Sequence, residues 1–120
     1  MLRSSFAHLQ QAERIEAFLK VLPPGHPYRE WVVIAWFYSA LHYVEAFLVT
    51  KSAAYRDHDL RRSEMRRHAE TTRVVVAYHQ LHKAAKEARY DGTPFTQKDL
   101  DELEPMFLQV KSTMRQALGL

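Results

Sequence analysis

Trp31–Leu48 reads WVVIAWFYSALHYVEAFL, and no charged residue lies between Glu30 and Glu45. Pro and Gly are absent from it. At helical spacing, Ile34, Phe37, Leu41, Val44 and Leu48 form one apolar stripe, and Val33, Trp36, Ala40, Tyr43 and Phe47 form a second beside it. The remaining face carries Tyr38, Ser39, His42 and Glu45 among Ala35, Ala46 and Val49. A helix apolar over most of its circumference has to be surrounded by other helices or by a partner chain. Its length and its interruption by Ser39, His42 and Glu45 argue against a membrane span. The stretch therefore predicts the central helix of a bundle, running from about Tyr28 to Thr50.

Other helices flank it in sequence. Ser4 or Ser5 is placed to cap a first helix reaching about Val21, with Phe6, Leu9, Ile15, Phe18, Leu19 and Leu22 as its apolar face. Pro23-Pro24-Gly25-His26-Pro27 breaks the chain before the central helix. Lys51–Asp57 is a connector, and Asp57 is a good N-cap for the next helix. From His58 to Tyr90 there is neither Gly nor Pro. The β-branched residues crowded into Thr71–Val76 predict a bend or short break there. Asp91-Gly92-Thr93-Pro94 is a turn, and Thr96 caps a last helix whose Leu100, Leu103, Phe107, Val110, Met114 and Leu118 keep a heptad. Pro105 lies inside that helix and should kink it. The pattern gives an all-α, antiparallel up-and-down bundle of four to five helices, with residues 1–120 forming one domain.

Composition bounds the function classes. At 120 residues the chain buries roughly two-thirds of its unfolded surface. The absence of cysteine removes disulfides and thiolate metal sites, which fits a reducing compartment such as the cytoplasm. The start, MLRSSFAHLQQAERI, turns polar at once and does not read as a signal peptide. A net charge of +3 is compatible with a polyanionic partner without requiring one. There is no Gly-rich phosphate loop and no Ser-His-Asp order.

Three placements carry possible chemistry. The arginine-rich run Arg56–Arg73 encloses His58 and His68, and Arg61, Glu64 and His68 share one helix face. Histidine shuttles protons near neutral pH while arginine stabilises a phosphoryl group. That pairing suits RNA cleavage without a metal, the ribose hydroxyl attacking the neighbouring phosphate. A solvated helix laced with Arg–Glu pairs accounts for the same spacing. His42 and Glu45 read as a buried polar pair, since a carboxylate-bridged metal bundle needs four carboxylates and two Glu-x-x-His motifs. His79-x-x-His82 lacks further ligands. No metal and no cofactor is expected.

Phe37–Leu48 (FYSALHYVEAFL), His58-x-x-x-Arg62, Tyr78–Leu81 (Tyr-x-x-Leu) and Ala88-Arg89-Tyr90 together resemble the small stand-alone HEPN proteins of prokaryotes, over roughly Val32 to Leu118. The resemblance implies a helical bundle that dimerises. It also implies an RNase of toxin–antitoxin or antiviral systems, or a non-catalytic partner module. The family signature is an Arg, usually followed by Asn, Asp or His, with a His four to six residues beyond. Arg62 with His68 matches it with five residues between, Arg61 with His68 with six, and Ser63 stands where Asn, Asp or His is usual.

Two functions stay open. One is a dimeric, metal-independent endoribonuclease with His68 moving the proton and Arg62 or Arg61 holding the phosphate, while Arg66, Arg67 and His58 contact the RNA. The other is a HEPN module that binds RNA or a protein partner, such as a nucleotidyltransferase or an antitoxin. A bare helical scaffold is the third. The apolar circumference of the central helix predicts cover from the first and last helices, leaving one strip for a second copy. Such an isologous contact should bury more than roughly 1,000 Å².

Overall fold

The computed structural model describes residues 3–22, 28–51 and 57–120. The Pro-rich break at Pro23–Pro27, most of the Lys51–Asp57 connector and Arg56 lie outside them. Six α-helices and no strand occur among the described residues. These are α1 (Arg3–Lys20), α2 (Arg29–Leu48), α3 (His58–Met65), α4 (Ala69–Thr72), α5 (Val75–Lys86) and α6 (Gln97–Ala117). A 3₁₀ turn, Val49–Lys51, ends α2, and a π-helical segment, Glu87–Asp91, extends α5. Thr96 and Asp99 form a capping box on α6, which continues past Pro105. Gly92 and Gly119, both at positive φ, follow the π segment and α6.

The helix count exceeds the four to five expected because His58–Tyr90 is divided twice. Thr71 Oγ1 donates to the Met65 carbonyl at 2.6 Å, an acceptor that a continuous helix would give to a backbone N–H. His68 is extended, at φ −122° and ψ 134°, so α3 stops and α4 starts. Val74, inside the β-branched run, makes the second division before α5.

Helices α1, α5 and α6 all pack on α2. Val33, Phe37, Ala40, Tyr43, Val44, Ala46 and Leu48 are fully buried. With three helices on it, α2 has no fully exposed residue from Val32 to Leu48, and the line Ile34, Tyr38 and His42 is only partly buried. Arg29–Lys51 is long and apolar enough to cross a membrane, which corrects the argument from length. Its most apolar window is 67% buried inside the fold, which makes it the core helix.

Helix α1 meets α2 through small residues rather than through its large ones. Phe6 and Phe18, expected inward, are about half exposed, whereas Ser5 and Ala12 are buried. Ser5 is not a cap. Its hydroxyl donates to the Ala46 carbonyl at 2.7 Å, and Ser39 donates to the Ala12 carbonyl at 2.9 Å. Short side chains let the two backbones approach, and each buried hydroxyl is satisfied by the opposite helix. The pairings Ser5–Ala46 and Ala12–Ser39 run antiparallel, as do Glu16–Lys111 and Glu13–Arg115 between α1 and α6.

His42 also takes its partner from α1. Its Nδ1 lies 3.0 Å from His8 Nδ1, while Glu45 pairs with Arg61 and Tyr43 with Glu16. Burial, then His8 and Arg61, lowers the His42 pKa to about 4. A histidine held neutral by the fold stabilises it fully above its unfolded pKa of about 6.5, and that stability is lost as pH falls toward the folded value. Between pH 7.5 and 5 the wild type should lose about 1–2 kcal/mol through this residue, a figure discounted because His42 is only partly buried. Urea unfolding at both pH values should show a smaller drop in His42→Gln. Equal drops in the two proteins would remove His42 as the cause.

Candidate functional site

Helices α3 and α5 and the π segment enclose a concavity of about 620 Å³. Helix α3 contributes His58 and Arg62, four residues apart and therefore on one face. Helix α5 contributes His79, His82, Lys83 and Lys86 at offsets of three, four and seven, again one face. The π segment adds Arg89 and Tyr90 at the end of the wall. Four permanent cations face two carboxylates, and both carboxylates are engaged. Asp59 pairs with Arg62, and Asp57 Oδ1 caps α3 by accepting from the N–H groups of Asp59 and Leu60 at 2.8 and 3.0 Å.

The floor is aromatic. The buried Phe37 ring stacks on His82 at 5.0 Å between centroids, with Tyr78 at 5.5 Å and His58 at 5.7 Å. The His58 and His82 rings are 4.3 Å apart. Beneath them Arg61 is buried in an ion pair with Glu45, both side chains 4% exposed. Arg61 Nη1 donates to His58 Nδ1 at 3.0 Å, so His58 carries its ring hydrogen on Nε2. Burial, followed by the nearby arginines Arg61, Arg89 and Arg62, holds the His58 pKa below the ordinary value against the pull of Asp57. Burial and then His58 lower His82 further, to about 4. At neutral pH both rings are uncharged, and the permanent positive charge comes from arginine and lysine.

The predicted site residues separate. Arg62 lines the concavity, donating to Asp59 and to His79 Nδ1. His58 lines it too. Arg61 lies below the floor as an internal ion pair. His68 is outside the concavity: its Nε2 is 2.9 Å from Glu64 Oε1, and its ring edge meets Phe47. That hydrogen bond to His68 holds the Glu64 carboxyl below its usual range. Arg66 and Arg67 are exposed, and Arg67 approaches Glu64 at 3.5 Å. Helical spacing put Arg61, Glu64 and His68 on one face with Arg62 offset to its side; Arg62 and His68 were joined by the family signature rather than by a shared face. Of the residues on that face, Glu64 and His68 still meet across the break at Arg66–His68, whereas Arg61 turns into the core and Arg62 faces the concavity.

Lys83, Lys86, Arg89 and Tyr90 do not stand out as site residues in the sequence, although the polar stripe from His79 through Lys86 is there to be read. Arg89 is the most distinctive. Its guanidinium lies over the Tyr90 ring at 4.8 Å and the Tyr38 ring at 5.5 Å, and it donates to the Tyr38 hydroxyl. Its Nε is buried without an acceptor among the described residues. No group of three or more histidines and carboxylates arranged to hold a metal ion is found among the described residues. Chemically, the concavity is equipped to hold an anion over an aromatic floor. Comparison with protein-family models, with curated proteins and with solved structures finds no match to this chain.

Proposed function

We propose that this chain is a HEPN-like, RNA-acting protein that holds the phosphates of its RNA in the concavity between α3 and α5. The observation carrying the reading is the gathering of Arg62, Lys83, Lys86 and Arg89 around neutral imidazoles, with both wall carboxylates already engaged. Phosphate oxygens are acceptors only, and this wall offers them donors. Dimerisation, with an antitoxin or nucleotidyltransferase-type protein as a further partner, belongs to the same proposal and rests on the resemblance.

A salt titration tests the reading. Four cations contacting a single strand give a slope of about −3 in log affinity against log salt. Arg62→Ala and Lys86→Ala should each weaken binding and reduce that slope by about 0.7. Fluorescence anisotropy with a labelled RNA measures both. Absence of RNA binding at about 50 mM salt, where such contacts are strongest, would end the proposal.

A second reading, cleavage without a metal, is favoured by the contact between Arg62 and His79 on the concavity wall. It places a phosphate anchor beside an imidazole able to exchange a proton. The neutral state of His58 and His82 weighs toward binding, because leaving-group protonation needs a charged acid.

A further inference from the structure

We infer that the concavity selects unpaired nucleotides: Tyr90 is a stacking platform for one base of a single-stranded RNA whose phosphates lie on Arg62 and Lys86. The inference rests on the RNA reading above and adds the class of RNA. Tyr90 is 71% exposed, and it stands at the rim of the concavity rather than in the core cluster. Its ring is held by the Arg89 guanidinium lying over it at 4.8 Å. Arg89 is fixed in turn, over the Tyr38 ring and hydrogen-bonded to its hydroxyl. The turn behind Tyr90 is set by Gly92 at φ +62°, a conformation that an L side chain rarely adopts.

The arrangement is a supported aromatic surface exposed to solvent beside a cationic wall. A single exposed ring is ordinary on a protein surface, but this one is held by Arg89 at the rim of a cationic wall. A planar, unstacked base covers such a ring, and every base has a face to offer. In a duplex the bases are already stacked on one another, so only phosphates would reach the wall and the platform would stay empty. A cation behind the ring strengthens the same stack by polarising it. The wall and the ring therefore ask for one ligand carrying both charge and a free base.

The test compares three probes: a labelled single-stranded RNA of about ten nucleotides, the same sequence annealed to its complement, and inorganic polyphosphate as a polyanion without bases. Wild type should bind the single strand more tightly than the duplex. Tyr90→Ala should lose roughly 10–100-fold for the single strand, the usual contribution of one base–aromatic stack. It should leave polyphosphate and duplex within about twofold, and Tyr90→Phe should restore the single-strand affinity. Tyr90 is exposed, so an unchanged melting temperature confirms that the fold is intact. If Tyr90→Ala binds the single strand as wild type does while Arg62→Ala and Lys86→Ala weaken it, the platform is refuted and the RNA reading stands. If wild type binds neither RNA form, the RNA reading itself falls.

Discussion

Arg61→Ala should destabilise the fold by about 3–5 kcal/mol, the cost of leaving one charge of a buried ion pair without its partner. Arg61 and Glu45 are each 4% exposed at the side chain, and Arg61 also donates to His58 Nδ1 and reaches the Tyr78 hydroxyl. Removing the guanidinium strands the Glu45 carboxylate within α2, among the most buried residues of the molecule. Burial raises the Tyr78 pKa to about 12, so the phenol beside Arg61 stays neutral, and a phenol has no cationic form with which to replace the guanidinium. Replacing both partners with apolar residues, Glu45→Leu with Arg61→Met, should recover most of the loss, because neither charge then has to be desolvated. Urea unfolding of wild type and both variants measures this. A loss below about 1 kcal/mol in Arg61→Ala would show that water reaches the pair. Arg62→Ala is the control: its Asp59 partner is 84% exposed, so stability should change by less than about 1 kcal/mol. The neighbouring arginines thus divide into one that holds the fold together and one that lines the concavity.

The other large effect concerns strand cleavage, the second reading of the site. Attack by the ribose hydroxyl leaves a 2′,3′-cyclic phosphate or its hydrolysis product, and cutting should persist in EDTA, since the attacking group belongs to the substrate. Removing the side chain that transfers the proton should cost about 10²–10⁴-fold in rate. Sequence spacing assigns that role to His68, whereas the single-chain geometry sets His79 against Arg62 and engages His68 with Glu64. The expected result is therefore a large loss in His79→Ala and Arg62→Ala, with His68→Ala cutting within a few-fold of wild type. The reverse order, His68→Ala inactive and His79→Ala active, would move the site to a seam where a second copy completes it. Wild type that leaves single-stranded and structured RNA intact from about pH 6 to 8 would reduce the function to binding.

Periodicity carried much of the architecture. The apolar circumference of Trp31–Leu48 marked it as the helix to be surrounded, and the fold buries it under α1, α5 and α6. Asp57 and Thr96 marked helix starts through local backbone chemistry, and the structure uses both. The heptad of the last helix delivered Leu100, Phe107, Val110 and Met114 to the core. These are features whose cause lies within one turn of the residue concerned.

Tertiary structure decided the rest. Helix α1 turned its small face inward, leaving Phe6 and Phe18 outside, because the backbones of α1 and α2 approach closely enough to exchange Ser5 and Ser39 hydrogen bonds. The partner of His42 came from α1, and that of Glu45 from α3, neither readable from spacing along α2. The site followed the same rule. Arg62 and His79 are seventeen residues apart and meet only because α3 lies against α5. Arg62 and His68, close in sequence, engage different partners, His79 on α5 and Glu64 on α3. Helical phase, about 100° per residue, fixes neighbours along one helix, but which helix a side chain meets is set only when the elements pack together.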